Sequence, residues 1–195
     1  MGDNVEFVKN VNFSSEFVEL MVDSGGDFFE YLFGEGYEFI LRDLYSAGNN
    51  VFGYENVEFL VHNGEVIGMH LSMDYRNRKR LVLPTLKSLI RIMGLSRFVS
   101  RLHRFVLSGI KDRIREGDYY LSNIAVKREY RGKGFGKIIM KRIIELAREK
   151  NCSRVVLLVE EENSKAINFY RKLSFERSNR VRVGRIRLLR MVLDL

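Results

Sequence analysis

Residues 154–159, RVVLLV, form an almost unbroken apolar run. The run is far too short to cross a bilayer, which takes about 20 residues. It is also too uniform for a strand with one wet face, which would alternate. It is therefore expected as a buried central strand, with packed layers on both sides of its sheet. The neighbouring sequence supplies those layers. GFGKIIMKRIIELAREK (134–150) sets Phe135, Ile139, Ile143, Leu146 and Ala147 along one side of a helix. NSKAINFYRKL (163–173) does the same with Ala166, Phe169, Tyr170 and Leu173.

Further strands are expected at VEFV (5–8), YYLSNIAV (119–126) and on either side of Gly184, over 175–183 and 185–193. VEFLV (57–61) and VIGMHLSM (66–73) read as a hairpin, because Asn63-Gly64 between them tolerates positive φ at both positions. Three short helical pieces precede it, at 14–22, 27–33 and 37–47, the last two stopped by Gly34 and Gly48. Residues 74–118 interrupt the strand pattern. Pro84 suits the first turn of a helix carrying Leu86, Leu89, Ile90 and Met93, and Gly94 ends it. A second helix from about Ser96 groups Phe98, Leu102, Phe105, Val106 and Ile110 on one face, with Arg97, Arg101 and Arg104 elsewhere. One α/β domain over residues 1–195, with a basic helical insertion between the third and fourth strands, accounts for the whole pattern.

Composition narrows the class. With 195 residues and 46% hydrophobic content the chain is globular. Its single cysteine, Cys152, excludes an internal disulfide framework or a cysteine-based zinc cluster and suggests a reducing compartment. The opening MGDNVEFVKN lacks the basic start and apolar core of a leader, so a cytoplasmic location is expected. The net charge of +8 conceals two opposite segments. Residues 1–60 carry twelve Asp/Glu against Lys9 and Arg42, whereas residues 76–115 carry twelve Lys/Arg against Asp112 alone. Such a division gives either two segments that pack on each other or two surfaces of opposite sign.

The glycines of REYRGKGFGK (129–138) carry the chemistry. A P-loop is excluded, since Gly136-Lys137 is preceded five residues earlier by Arg131 and followed by Ile138. A dinucleotide fingerprint is excluded too, because Gly132, Gly134 and Gly136 are spaced two and two. A strand, a short basic turn and a helix opening remain. The first N–H groups of a helix have no internal partner and sit at the positive end of its dipole. Glycines let that backbone approach an anion, Lys133 and Lys137 add positive charge, and several successive N–H groups suit a pyrophosphate. The bland alternative is a glycine turn with solvated lysines.

The order strand, R-x-x-G-x-G at Arg131, Gly134 and Gly136, helix, buried strand, then N-x-x-A-x-x-F-Y at Asn163, Ala166, Phe169 and Tyr170 resembles the GNAT superfamily of acyl-CoA-dependent N-acyltransferases. The resemblance is close over 119–176 and loose over 57–73. It implies a mixed, mostly antiparallel central sheet flanked by helices. It implies acetyl-CoA as acyl donor, with no metal. The pyrophosphate would lie on Arg131, Gly132, Lys133, Gly134, Phe135, Gly136 and Lys137. The pantetheine arm would pair with Ile124, Ala125 and Val126 as an added strand, which requires that strand to splay from residues 154–159. Asn163 would touch the cofactor arm, although it is equally a helix N-cap. Tyr170 would protonate the departing thiolate, its alternative being a core aromatic beside Phe169.

The resemblance supplies no base. Leu158 stands where some members carry a glutamate, and Ser122 and Asn123 are not acidic. Glu160, Glu161 and Glu162 read as a solvated turn, and Glu55 and Glu58 as residues on the acceptor side. Ser174 replaces the glycine usual before Phe175. In this fold the N-terminal helices wall the acceptor. Here they carry Asp27, Glu30, Glu35, Glu38 and Asp43, which would attract a cationic amine such as a polyamine, a lysine-like metabolite or a basic peptide terminus. Acetylation of a protein N-terminus or lysine, or a non-catalytic acyl-CoA sensor, are the alternatives. The insertion is read as a cap or dimer partner, as a membrane-lying element, or, least favoured, as a nucleic-acid contact through RNRKR (76–80).

Overall fold

The computed structural model describes residues 5–108 and 114–195, and side chains except those of 105–108. Its elements in chain order are β1 (Val5–Val8), α1 (Ser14–Phe33), α2 (Tyr37–Ala47), β2 (Val57–His62), β3 (Glu65–Asp74), α3 (Tyr75–Met93), α4 (Leu95–Ser108), β4 (Asp118–Val126), α5 (Phe135–Glu149), β5 (Arg154–Glu160), α6 (Ser164–Arg171), β6 (Glu176–Val183) and β7 (Ile186–Asp194). The strands form one sheet in the order β1-β2-β3-β4-β5-β7-β6. Only β4 and β5 pair in parallel, joined by a crossover through α5. The apolar run of β5 lies inside the sheet, between β4 and β7.

Strand alternation sends side chains to two cores. Val57, Phe59, Val61, Met69 and Leu71 pack with α1, α2 and α3 on one face. Leu60, Ile67, Leu121, Leu157 and Val159 pack with α5 and α6 on the other. Asn63 (φ 51°) and Gly64 (φ 83°) make the expected hairpin turn. Asp118, fully buried at the start of β4, ties the parallel pair together. It accepts the Arg115 N–H at 2.8 Å, Arg154 Nε at 2.5 Å and Arg190 Nη2 at 3.3 Å.

Three expectations need correcting. The stretches 14–22 and 27–33 are one helix bent at Gly25, whose backbone is non-helical, with the Ser24 hydroxyl returning to Met21 O at 2.9 Å. Pro84 lies in the middle of α3, because the helix starts a full nine residues earlier, where the Asp74 carboxylate caps the Asn77 N–H at 2.9 Å. The proline removes the hydrogen bond to the carbonyl of exposed Arg80, where water can replace it. In α4 the arginines turn back onto α1, Arg97 from an exposed position, and Leu102 faces out. Arg97 reaches Phe33 O at 3.1 Å and also Glu35 O. Arg104 reaches Tyr31 O at 2.8 Å and covers the Tyr31 ring at 5.1 Å. The orphan carbonyls at the negative end of α1 thus recruit the cations. The basic insertion caps the acidic segment, though through backbone carbonyls rather than carboxylates. Phe105, Val106 and Ile110, expected on the same face as Phe98, lie outside the described side chains.

Candidate active site

The sheet contains a slot. β4 and β5 pair from Asp118↔Arg154 to Leu121↔Leu157 and then part. β4 continues along β3 to Val126↔Gly68, and β5 continues along β7 to Glu160↔Leu188. The parting starts where Ser122 is an extra residue in β4, between Leu121 opposite Ser72 and Asn123 opposite Leu71. Such a bulge bends its strand away from a neighbour. The Ala125 carbonyl lies against Gly68, so by alternation Ile124 and Val126 turn their peptide groups toward the slot. The splay that the sequence requires but cannot display is therefore present at Ile124, Ala125 and Val126.

The glycine loop closes one end of this slot. α5 opens at Phe135 behind Gly134, whose φ of 91° no β-carbon residue adopts without strain. The first helical bonds are Lys137 N and Ile138 N to Gly134 O. The N–H groups of Gly132, Lys133, Gly134, Phe135 and Gly136 donate to no described protein group. Five unused donors at a positive helix end are the arrangement that suits an anion. Gly136 packs on Phe169, where a Cβ would lie 3.3 Å from the ring, so α5 and α6 meet beside the loop. Lys133 and Lys137 are exposed, while Phe135 is half-buried against His62 and Tyr130. Arg131 does not project into the cradle. Its Nε donates to Val126 O at 2.8 Å and its Nη2 pairs with Asp23 of α1.

α6 brings in the second motif. Asn163 caps the helix, its Oδ1 accepting the Ala166 N–H at 3.0 Å, which leaves its amide nitrogen for another partner. Tyr170 is 7% exposed and packs against Phe169 and Phe175, with ring centroids 5.4 and 5.6 Å away. Its hydroxyl bonds to no described protein group, and burial pushes the phenol pKa up, so it stays protonated at neutral pH. Among the described residues no cluster of His, Cys, Asp and Glu is placed to hold a metal.

On the α1 face of the slot, Asn123 Nδ2 donates to Ser24 Oγ at the helix bend (2.9 Å), and Ser122 Oγ donates to Asn123 Oδ1 (2.9 Å). Glu160 is the residue that sequence reasoning passed over. Glu161 is held by Arg180 at 2.9 Å and Glu162 by Arg187 at 2.7 Å, so these two do form an ion-paired turn. Glu160 is half-buried and has no ion pair among the described residues. Burial raises its carboxyl pKa, and the charges of Asp27 and Glu162 raise it further. The available signal was parity: Glu160 lies two residues beyond Leu158, on the same face of β5.

Glu58 faces away from α1 and α2, because its neighbours Val57 and Phe59 take that side. It is clamped by Arg142 of α5, Nε to Oε2 at 2.8 Å and Nη2 to Oε1 at 3.2 Å, with His70 Nε2 3.5 Å away. Burial acts to raise its carboxyl, but His70 and Arg142 outweigh it and hold the pKa at about 2. A cavity of about 500 Å³ opens beside this cluster, lined among others by Lys9, Ser72, Tyr119 and Lys150 and by no residue of the glycine loop or α6.

Residues 13–175 match the acetyltransferase (GNAT) family. The chain belongs to that family. The likeness to a thialysine N-epsilon-acetyltransferase from Sus scrofa is 46% identity over 54 residues, 28% of this chain and 32% of that one. The chain thus spans about a third of the length of the curated relatives it matches. A crystal structure of an N-acetyltransferase from Staphylococcus aureus Mu50 shares the GNAT fold at a TM-score of 0.76 and 14% identity, over 96% of this chain and all of that one. A Bacillus subtilis acetyltransferase solved in complex with CoA has a TM-score of 0.56 at 15% identity, covering 99% of both chains. GNAT acetyltransferases use acetyl-CoA as cosubstrate.

Proposed function

We propose that the chain is an N-acetyltransferase that moves the acetyl group of acetyl-CoA to a primary amine by direct attack in a ternary complex. The observation that carries this reading is the slot between β4 and β5, ending on five unused N–H donors at the start of α5. A pantetheine arm laid along Ile124, Ala125 and Val126 supplies the strand that β4 lacks, and its pyrophosphate reaches the residues from Arg131 to Lys137. The Asn163 amide nitrogen is left to meet the arm from the α6 side.

The amine nitrogen attacks the thioester carbon, the carbon–sulfur bond breaks, the thiolate takes its proton from Tyr170, and the proton the nitrogen sheds as it becomes an amide passes through water to restore the Tyr170 phenol. An alkyl ammonium has a pKa of about 10 and must first lose a proton. We assign that proton to Glu160, through water, since its raised carboxyl is a better base than an ordinary one. Ionised Glu160 is the working form, so kcat/KM rises with pH through its elevated pKa. Glu160→Gln is expected to remove that acidic limb with little change in acetyl-CoA KM. A limb that survives in the variant assigns it to another group.

The acceptor we infer is a cationic amine. Asp27 and Glu30 of α1 and Glu38 at the start of α2 lie close enough that, after burial, their charges raise the Tyr37 hydroxyl, and the Asp27 charge also raises Glu160. The single Cys152 suits a reducing compartment, and the cytoplasm is where we place this activity. The deciding experiment incubates the pure protein with acetyl-CoA and a panel of polyamines, lysine-like metabolites, basic peptides and neutral amines, following free thiol and product masses. Cationic amines are expected to turn over, with KM rising as salt is added. Equal turnover of neutral amines, indifferent to salt, overturns the acceptor class. Tight acetyl-CoA binding without thiol release across the panel makes the chain an acyl-CoA sensor instead.

A further inference from the structure

Helix α4 presents the opposite face from an ordinary amphipathic helix. Arg97, Arg101 and Arg104, spaced i, i+4 and i+7, face the protein, where Arg97 and Arg104 bind the carbonyl end of α1 and Arg101 packs on Gly34. Leu95, Val99 and Leu102, with the same spacing, stand outward at 64%, 55% and 42% exposure. α3 continues this surface. Val82, Leu83 (68% exposed) and Ile90 stand out among exposed Arg76, Lys79, Arg80, Lys87 and Arg91. Six of the eleven exposed large apolar side chains among the described residues lie on these two helices, with Ile90 and Leu95 flanking the Gly94 corner in sequence. From Tyr75 to Ser108 there are nine Lys/Arg and no Asp or Glu. Among the described residues the one acidic side chain from outside that pairs with them is Glu116, 2.9 Å from Arg76.

We propose that the outer face of α3 and α4 docks on an anionic lipid bilayer, with Leu83, Leu95 and Val99 entering the headgroup boundary and the α3 cations resting on the lipid phosphates. Two properties must be satisfied at once, exposed aliphatic groups and uncompensated positive charge, and such a surface satisfies both. A second copy meeting this face symmetrically would bring the same cations against themselves. Nucleic acid would neutralise the charge but leave the aliphatic stripe in water. No helix among the described residues is long and apolar enough to cross a membrane, so the contact is with its surface.

The test is co-sedimentation of the full chain with vesicles at physiological salt. One set is phosphatidylcholine alone, and the other contains phosphatidylglycerol as well. Anionic vesicles are expected to bind at least about tenfold more protein than neutral ones. The combined variant Leu83→Gln, Leu95→Gln, Val99→Gln should lose about tenfold in binding with an unchanged melting temperature, because all three side chains are exposed. Lys79→Glu with Lys87→Glu should abolish the preference for anionic lipid. Absence of binding to either vesicle overturns the proposal. So does a glutamine variant that binds like the parent and is displaced by duplex DNA, which makes the face a nucleic-acid contact. Sedimentation velocity showing a dimer that the glutamine variant splits overturns it in favour of a second copy.

Discussion

Replacing Tyr170 by phenylalanine is expected to lower turnover by about 100-fold, the low end of what a positioned proton donor contributes. Acetyl-CoA affinity should stay within about twofold, since the hydroxyl acts on the departing sulfur rather than on the bound cofactor. Phenylalanine keeps the ring contacts with Phe169 and Phe175. No described protein group loses a hydrogen bond, because the Tyr170 hydroxyl makes none with them, and the melting temperature should not move. Initial rates of thiol release, an acetyl-CoA titration and a thermal melt together check this. Unchanged turnover returns Tyr170 to the core and takes it out of the reaction. Lost turnover accompanied by a lowered melting temperature makes packing the cause.

Asp118→Ala should have the largest effect on stability, about 3–5 kcal/mol, the usual result of removing one partner from a buried charge cluster. Its carboxylate is fully buried and serves the Arg115 N–H and two guanidiniums, those of Arg154 and Arg190. In a chain of this size that corresponds to a melting temperature roughly 10 °C lower. The same residue opens the paired half of β4 and β5, so the geometry of the slot depends on it. A variant that folds should also bind acetyl-CoA more weakly. A melting temperature within about 2 °C of the parent would show that the cluster is dispensable, as some buried ion pairs are.

The parts of the fold written in local periodicity were legible in advance. RVVLLV could only be an interior strand, Asn63-Gly64 could hardly be anything but a tight turn, and the helix from Phe135 shows its apolar stripe directly. Features that depend on a distant partner were not. Pro84 is different: proline suits a first turn, but the Asp74 carboxylate caps Asn77 only three residues on and starts the helix earlier, a local signal that the sequence does carry. The apolar pattern of α4 groups Leu102 with Phe98 and sets the arginines elsewhere, whereas the carbonyl end of α1, 64 and 73 residues away for Arg97 and Arg104, draws the arginines to itself and leaves Leu102 outside. Glu160 looked like its two neighbours until Arg180 and Arg187 claimed those and left it alone. Glu58 was set on the wrong face because strand parity in β2 needs the positions of both cores, which one strand does not contain.

The extra residue at Ser122 makes the sheet imperfect. Both strands beyond it carry inward backbone groups that a regular parallel pair would have bonded to each other. A β4 one residue shorter could re-register along β5 and close that seam, and the closed sheet would be the better folded object. Natural selection for thermal robustness alone would thus push this chain toward a form with nowhere to put a ligand. On the proposed function, the bulge is kept for what enters the sheet rather than for what the sheet gains from it.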